Sequence, residues 1–287
     1  MNTNKVWLVT GASKGLGLSL VKKLLNGGYK VAATTRDVKR LTKSVGDQHA
    51  GLLAMDVDLV DDKDVAAAID LAIRAFGKID VVVNNAGYGQ LGTVEELTDK
   101  NARENFDVNV FGTINVIRNV MPHFRRQRSG AFFNVSSIAG FLGTFPGWGI
   151  YNATKFAVAG LTEALSAEVK SFGITATIVY PGYFKTNFLL KDSLQLPRSP
   201  IAEYGEARQL EAMHEKEITG NQPGDPDRAA TALIQISNSE IRPLHLFLGT
   251  DAFRMGLSKI EAVQHDMNIF ETITKSTDFE KAPMAVL

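Results

Sequence analysis

The chain has 287 residues, enough to bury a large core and within the range of a single α/β domain. Its 31 basic and 31 acidic residues cancel, so no overall field draws nucleic acid, an anionic membrane or a highly charged partner. It has no cysteine, which excludes disulfides, thiolate catalysis and cysteine-bound zinc.

The amino terminus, MNTNKVWLVTGAS, enters a strand pattern almost at once. No apolar leader precedes it, so no signal peptide is expected and a cytoplasmic location follows. Val6 to Thr10 reads as a buried strand, and Leu16 to Asn26 as a helix stopped by Gly27 and Gly28. Between them lies TGASKGLG, with glycines at 11, 15 and 17. A strand, a glycine turn and a helix start aim backbone N–H groups and the positive end of the helix at a pyrophosphate. The next strand, Lys30 to Thr34, leads into Arg36, where an NAD-preferring site would place an acidic residue on the ribose. An arginine there, with Lys14 in the turn, suits the 2′-phosphate of NADP(H). Asp37 is a rival reader of the ribose, but its place before VKRL suits a helix N-cap.

Further strands are expected at Gly51 to Asp56, Asp80 to Asn84, Ala131 to Ser136, Thr175 to Tyr180 and Leu244 to Leu248. The acidic run from Asp56 to Asp64 lacks the glycine and distal glutamate of a calcium loop and reads as the start of the helix Asp62 to Phe76. HFRRQRSG, from His123, reads as cations closing a helix. The uncharged stretch from Ser129 to Thr154 carries five glycines and Pro146, which argues against a membrane span. In the helix Tyr151 to Phe172, Tyr151 and Lys155 stand one turn apart on one face. The histidines at 49, 123, 214, 245 and 265 show no metal-binding spacing, and no metal is expected.

Alternating strands and helices predict a doubly wound, seven-stranded parallel sheet of Rossmann-like type, with helices on both faces. One domain is expected over residues 1–287, with a helical substrate lid at 183–226 and a C-terminal extension at 251–287.

TGxxxGxG at Thr10 to Gly17, NNAG at Asn84 to Gly87 and YxxxK at Tyr151 to Lys155 together resemble the short-chain dehydrogenases and reductases, over Lys5 to Thr186. NNAGYG, PGWGIYNATKFAVAGLTEAL and RPLHLFLG look most like the hydroxysteroid- and retinol-dehydrogenase-like branch. The resemblance implies cofactor contacts from Gly11, Ser13, Lys14, Gly15, Leu16, Gly17 and Arg36, and adenine contacts from Asp56 and Val57. Asn85, Ala86 and Gly87 pass beside the adenosine ribose, and Pro181, Gly182, Phe184 and Thr186 belong to the segment near the nicotinamide. It also implies that Tyr151, Lys155, Ser137 and Asn109 are catalytic, Asn109 holding a water in a proton relay. Ser137 precedes Tyr151 by fourteen residues instead of the family's usual thirteen, and the extra residue is expected within GTFPGWGI. A homodimer or homotetramer is implied, built through the helices after Thr98 and from Tyr151.

The chemistry agrees with those roles. Hydride addition to a carbonyl leaves charge on oxygen, so the site needs a proton donor and a hydrogen-bond donor there. A tyrosine serves if a nearby ammonium such as Lys155 lowers its pKa. The expected function is an NADP(H)-dependent oxidoreductase interconverting a ketone or aldehyde and an alcohol. Gln90, Leu91, Phe141, Leu142, Phe145, Trp148, Tyr183 and Phe188, with Leu189, Leu190 and Met213 from the lid, are the expected wall of an apolar pocket. The alternatives are a silent NADP(H) sensor and an epimerase or dehydratase on the same fold. TGASKGLG argues against the epimerase, and YNATK against an enoyl reductase, which spaces its tyrosine and lysine more widely.

Overall fold

The computed structural model describes residues 4–46 and 49–279. In chain order the elements are β1 (Val6–Thr10), α1 (Gly15–Asn26), β2 (Lys30–Thr35), α2 (Val38–Val45), β3 (Leu52–Asp56), α3 (Asp62–Phe76), β4 (Val81–Asn84) and the two-residue β5 (Gly89–Gln90). Then follow α4 (Asp99–Phe106), α5 (Gly112–Gln127), β6 (Gly130–Val135), α6 (Gly149–Val169), β7 (Ile174–Pro181) and the two-residue β8 (Leu194–Gln195). The chain continues with α7 (Gly205–Met213), α8 (Pro226–Ser237), β9 (His245–Leu248), α9 (Thr250–Ile269) and α10 (Glu271–Lys275). Residues 280–287 of the expected C-terminal extension lie outside the described residues.

Seven strands form one sheet in the order β3-β2-β1-β4-β6-β7-β9, every pairing parallel. This is the doubly wound Rossmann-like fold expected from the sequence. Both faces of the sheet are covered, so its strands are apolar on both sides. Trp7 and Val9 of β1 pack with Leu20, Leu24 and Leu233 of α1 and α8, while Leu8 between them joins Ile69, Val116 and Val120 of α3 and α5. The chain winds outward from β1 to β3, then returns to place β4 on the other side of β1. Such a reversal opens a crevice at the carboxyl ends of the strands, where ligands of this architecture bind.

Caps mark several helix starts. Asp37 accepts from Arg40 N at the start of α2, and Asp61 from Lys63 N and Asp64 N at the start of α3. The helix expected from Tyr151 to Phe172 begins earlier, at Gly149, and tightens into a 3₁₀ turn at Lys170–Phe172 before Gly173. No helix among the described residues is long and apolar enough to cross a membrane.

Segment 183–226 leaves the end of β7 and returns to its own origin, where Gly224 N donates to Tyr183 O at 2.9 Å and Lys185 N to Gly224 O at 2.8 Å. β8, inside this segment, pairs with β5. The buried Glu96 carboxylate ties it down further, accepting from Ile201 N at 2.7 Å and from Arg208 at 3.0 Å.

Candidate active site

Gly11 and Gly15 turn the chain at φ +65° and +56°, conformations that favour glycine. A Cβ on Gly17 would meet the Gly11 carbonyl at 2.5 Å, so this glycine lets α1 close onto the turn and does not face the cleft. No side chain caps the N-terminus of α1, and its first turn carries no acidic residue. Its leading N–H groups thus point outward without a partner from the cap. Thr10 Oγ1 accepts from Asn85 N and Ala86 N, each at 3.0 Å, and Asn85 Nδ2 donates to Thr10 O at 2.9 Å. These bonds weld the NNAG stretch to the glycine turn.

The turn forms one end of a cleft of about 500 Å³. Gly11, Ser13, Lys14, Gly15, Leu16, Arg36, Val57, Asn85, Ala86, Gly87, Pro181, Gly182, Phe184 and Thr186 all line it. Asp56 does not: it ends β3 exposed, and Asp58 lines the cleft in its place. Three cations gather here, because Arg40, which no sequence motif marks, joins Lys14 and Arg36. Arg40 follows Arg36 by four residues and reaches the Asp192 carboxylate at 3.5 Å, while Lys14 Nζ donates to the Asp192 carbonyl at 2.6 Å. Burial, then Arg40 and Arg36, lower the Lys14 pKa, with Asp192 opposing.

At the other end stand Ser137, Tyr151 and Lys155. Ser137 Oγ accepts from Ala139 N at 3.1 Å, which leaves its single O–H as the donor toward the Tyr151 phenol. The Ser137 side chain hydrogen-bonds the Tyr151 phenol. Ser136 has a different task, since its hydroxyl donates to the Lys155 carbonyl at 2.7 Å and braces α6 against β6. Lys155 Nζ donates to Val135 O at 2.8 Å. The segment between the serine and the tyrosine, 141–148, is irregular, with Gly147 at φ +77°.

The electrostatics depart from expectation. Burial pushes the Tyr151 phenol above its ordinary pKa, the Ser137 hydrogen bond opposing and the Tyr183 phenol adding to the rise. Burial also lowers Lys155 to about 8. Desolvation therefore outweighs ammonium–phenol attraction, and Tyr151 stands as a neutral acid with its proton in place.

Asn109 lies on a π-helical turn, Asp107–Phe111, between α4 and α5. Such bulges recur at functional sites. Its side chain is buried behind the cleft: Oδ1 accepts from Tyr88 N at 3.0 Å, and Nδ2 donates to Tyr88 O at 3.0 Å and Thr154 Oγ1 at 3.1 Å. With these bonds made, the side chain fixes Tyr88 and α6.

Phe145, Trp148, Tyr183, Phe188 and Leu189 line the cleft beside Tyr151. The rest of the expected wall lies elsewhere. Gln90 is buried at the β5–β8 pair, donating to the Leu91 carbonyl at 3.1 Å, and Leu91 packs behind Tyr151 and Trp148. Phe141 turns away to meet Tyr180 and Phe247 edge-to-face, and Leu142, Leu190 and Met213 do not reach the cleft. His214, next to Met213, does reach it. It opens a second π-helical turn, His214–Ile218, and its ring lies 5.3 Å from that of Trp148. Histidine spacing gave no hint of this role, because the signal for it is the fold's placement of segment 183–226.

Seven parallel strands with an open glycine turn at the first crossover define a Rossmann-like α/β protein. A family model described as short chain dehydrogenase matches residues 5–195. The chain belongs to the short-chain dehydrogenase family of oxidoreductases. It is 34% identical over 257 residues to "Oxidoreductase BOA17" of Botryotinia fuckeliana, covering 86% of this chain and 90% of that protein. Its structure is similar to that of a short-chain dehydrogenase from Streptomyces avermitilis, with TM-score 0.87 and 34% identity over 96% of this chain and 99% of that one. It is also similar to ElxO solved with NADP bound, with TM-score 0.70 and 27% identity over 85% of this chain and 96% of that one.

Proposed function

We propose that this oxidoreductase uses NADP(H) to interconvert an apolar or aromatic ketone or aldehyde and its alcohol. The observation that carries this reading is one continuous cleft with three cations and an uncapped helix N-terminus at one end and Ser137, Tyr151 and Lys155 at the other. The residues fit the dinucleotide: a glycine turn a Cβ would obstruct, unpartnered helix N–H groups for its pyrophosphate, and Arg36, Arg40 and Lys14 for a 2′-phosphate. When bound, the nicotinamide supplies the hydride.

The side chains do the rest. Ser137 turns its O–H from the Tyr151 phenol to the substrate oxygen, and Tyr151 gives that oxygen its proton in reduction and takes it back in oxidation. Lys155 holds charge beneath the phenol and is placed to hold the nicotinamide ribose. Asn109, in this reading, positions Tyr88 and α6 without touching substrate. Segment 183–226 acts as the lid, and Phe145, Trp148, Phe188 and Tyr183 exclude water from the reacting carbonyl. NADPH and NADH consumption against a panel of bulky apolar ketones and small polar keto acids tests the assignment. Turnover of the apolar ketones with NADPH supports it, and a silent panel with intact NADPH binding would favour a sensor.

A further inference from the structure

α9 begins as part of the body and then leaves it. Ala252 and Gly256 are buried, and a Cβ on Gly256 would meet the Phe247 ring of β9 at 2.9 Å. From Ile260 to Phe279 every residue is exposed. A lone helix standing in water has no tertiary packing to hold it, and a polar surface all round would be expected. This one instead exposes Phe253, Leu257, Ile260, Val263, Met267, Ile269 and Phe270, five of them along one stripe.

Their spacing identifies what would cover them. Phe253, Ile260 and Met267 recur every seven residues, and Val263 and Phe270 repeat at the same interval three residues after Ile260 and Met267. That is the seam of a two-stranded coiled coil. Lys259 and Asp266 each stand one residue before a seam position and so flank it on the same side. Neither has an ion-pair partner among the described residues. On the other flank lie Leu257, Gln264 and Glu271.

The charges choose the orientation. In a parallel pair each residue before the seam meets the opposite flank of its partner, which sets Asp266 against Glu271, a repulsion. In an antiparallel pair this flank meets itself, and Lys259 lies against Asp266 of the other helix twice over by symmetry. The same register sets Ile260 opposite Val263 twice over by symmetry, and because Gly256 is buried against Phe247 the pairing runs from Ile260 onward. α9 also carries Asp251, Glu261 and Asp266 against Arg254 and Lys259, an acidic balance that does not suit an anionic membrane surface.

We infer that α9 is a self-association helix, pairing antiparallel with α9 of a second copy of this chain across a two-fold axis near Ala262. This interface is separate from the helices after Thr98 and from Tyr151, and it does not depend on the reaction assigned to the cleft.

Sedimentation velocity of the full chain over a micromolar concentration series tests it. Ile260→Asp with Met267→Asp should halve the mass of the assembly while circular dichroism and NADPH turnover stay as in the wild type. If those aspartates unwind the helix, the charge series still decides, because it leaves the seam intact. Lys259→Glu and Asp266→Lys should each weaken association by roughly tenfold, and the two together should restore it. A mass unchanged by the aspartates, a wild-type chain monomeric throughout, or a double reversal no better than its singles would overturn the proposal, as would capture of the monomer by lipid vesicles alone.

Discussion

Lys155 Nζ stands 5.8 Å from the centre of the Tyr151 ring and is bound to the Val135 carbonyl, so the two groups share one buried wall without touching. Each carries a burial penalty in its charged form. Tyr151→Phe should keep NADPH affinity and lose turnover by at least about a hundredfold, the usual size of a lost general acid. Near-normal turnover would sink the assignment.

Lys155 also couples activity to stability. Its folded pKa, about 8, lies below the value of about 10.4 expected in the unfolded chain. The unfolded state therefore binds more protons between these values, and stability rises with pH through that window; the penalty is complete below about 8. Lys155→Met should raise the midpoint of urea unfolding at pH 7 while abolishing turnover, and its advantage should shrink as pH approaches 10.

Arg36→Asp should raise KM for NADPH by roughly ten- to a hundredfold, the scale of a lost charge-assisted phosphate contact, and leave KM for NADH nearly unchanged. Arg40→Ala should act in the same direction. Steady-state kinetics with both dinucleotides read the difference, and an equal loss with each would remove these arginines from the cofactor site.

Gly17→Ala should destroy dinucleotide binding without altering the chemistry residues. Its Cβ would lie 2.5 Å from the Gly11 carbonyl and 2.6 Å from Asn85 Nδ2, so α1 must move off the turn. Fluorescence titration with NADPH should show affinity falling at least about tenfold, since steric overpacking of this kind costs roughly 1–3 kcal/mol.

His214 gives the pocket a pH response. His214 Nδ1 lies 2.8 Å from the Leu210 carbonyl and so carries the proton, which makes Nε2 the acceptor of the Tyr183 hydroxyl at 2.9 Å. Burial lowers its pKa, the Leu210 bond opposing. The unfolded chain takes up this proton first as pH falls below about 6.5, so folding stability is lost from there downward. His214→Phe should flatten that part of the stability profile, and an unchanged slope would place the titration elsewhere.

The seven strands were legible because each is a short apolar run, buried throughout in β1 and β4 and less so in the edge strands β3 and β9, and the glycine turn because its spacing is a backbone requirement. The cleft was half legible. Ser13, Thr186 and Arg36 line the cleft, because a turn or a strand end fixes where each backbone lies. Phe141 and Gln90 do not, since an aromatic or amide in a loop can turn to either side and only packing against Tyr180 or Leu91 decides. His214 and Arg40 were invisible for the complementary reason: long-range folding brings one, and the direction of α2 the other. At Tyr151 the charge four residues away is written in the sequence, whereas the burial that opposes it is set by the fold.

Asp192 occupies the cationic end of the cleft from within, its carbonyl on Lys14 and its carboxylate on Arg40. The same aspartate therefore moors segment 183–226 to the glycine turn through Lys14 and to α2 through Arg40, so one residue links the segment over the cleft to both elements that build its cationic end.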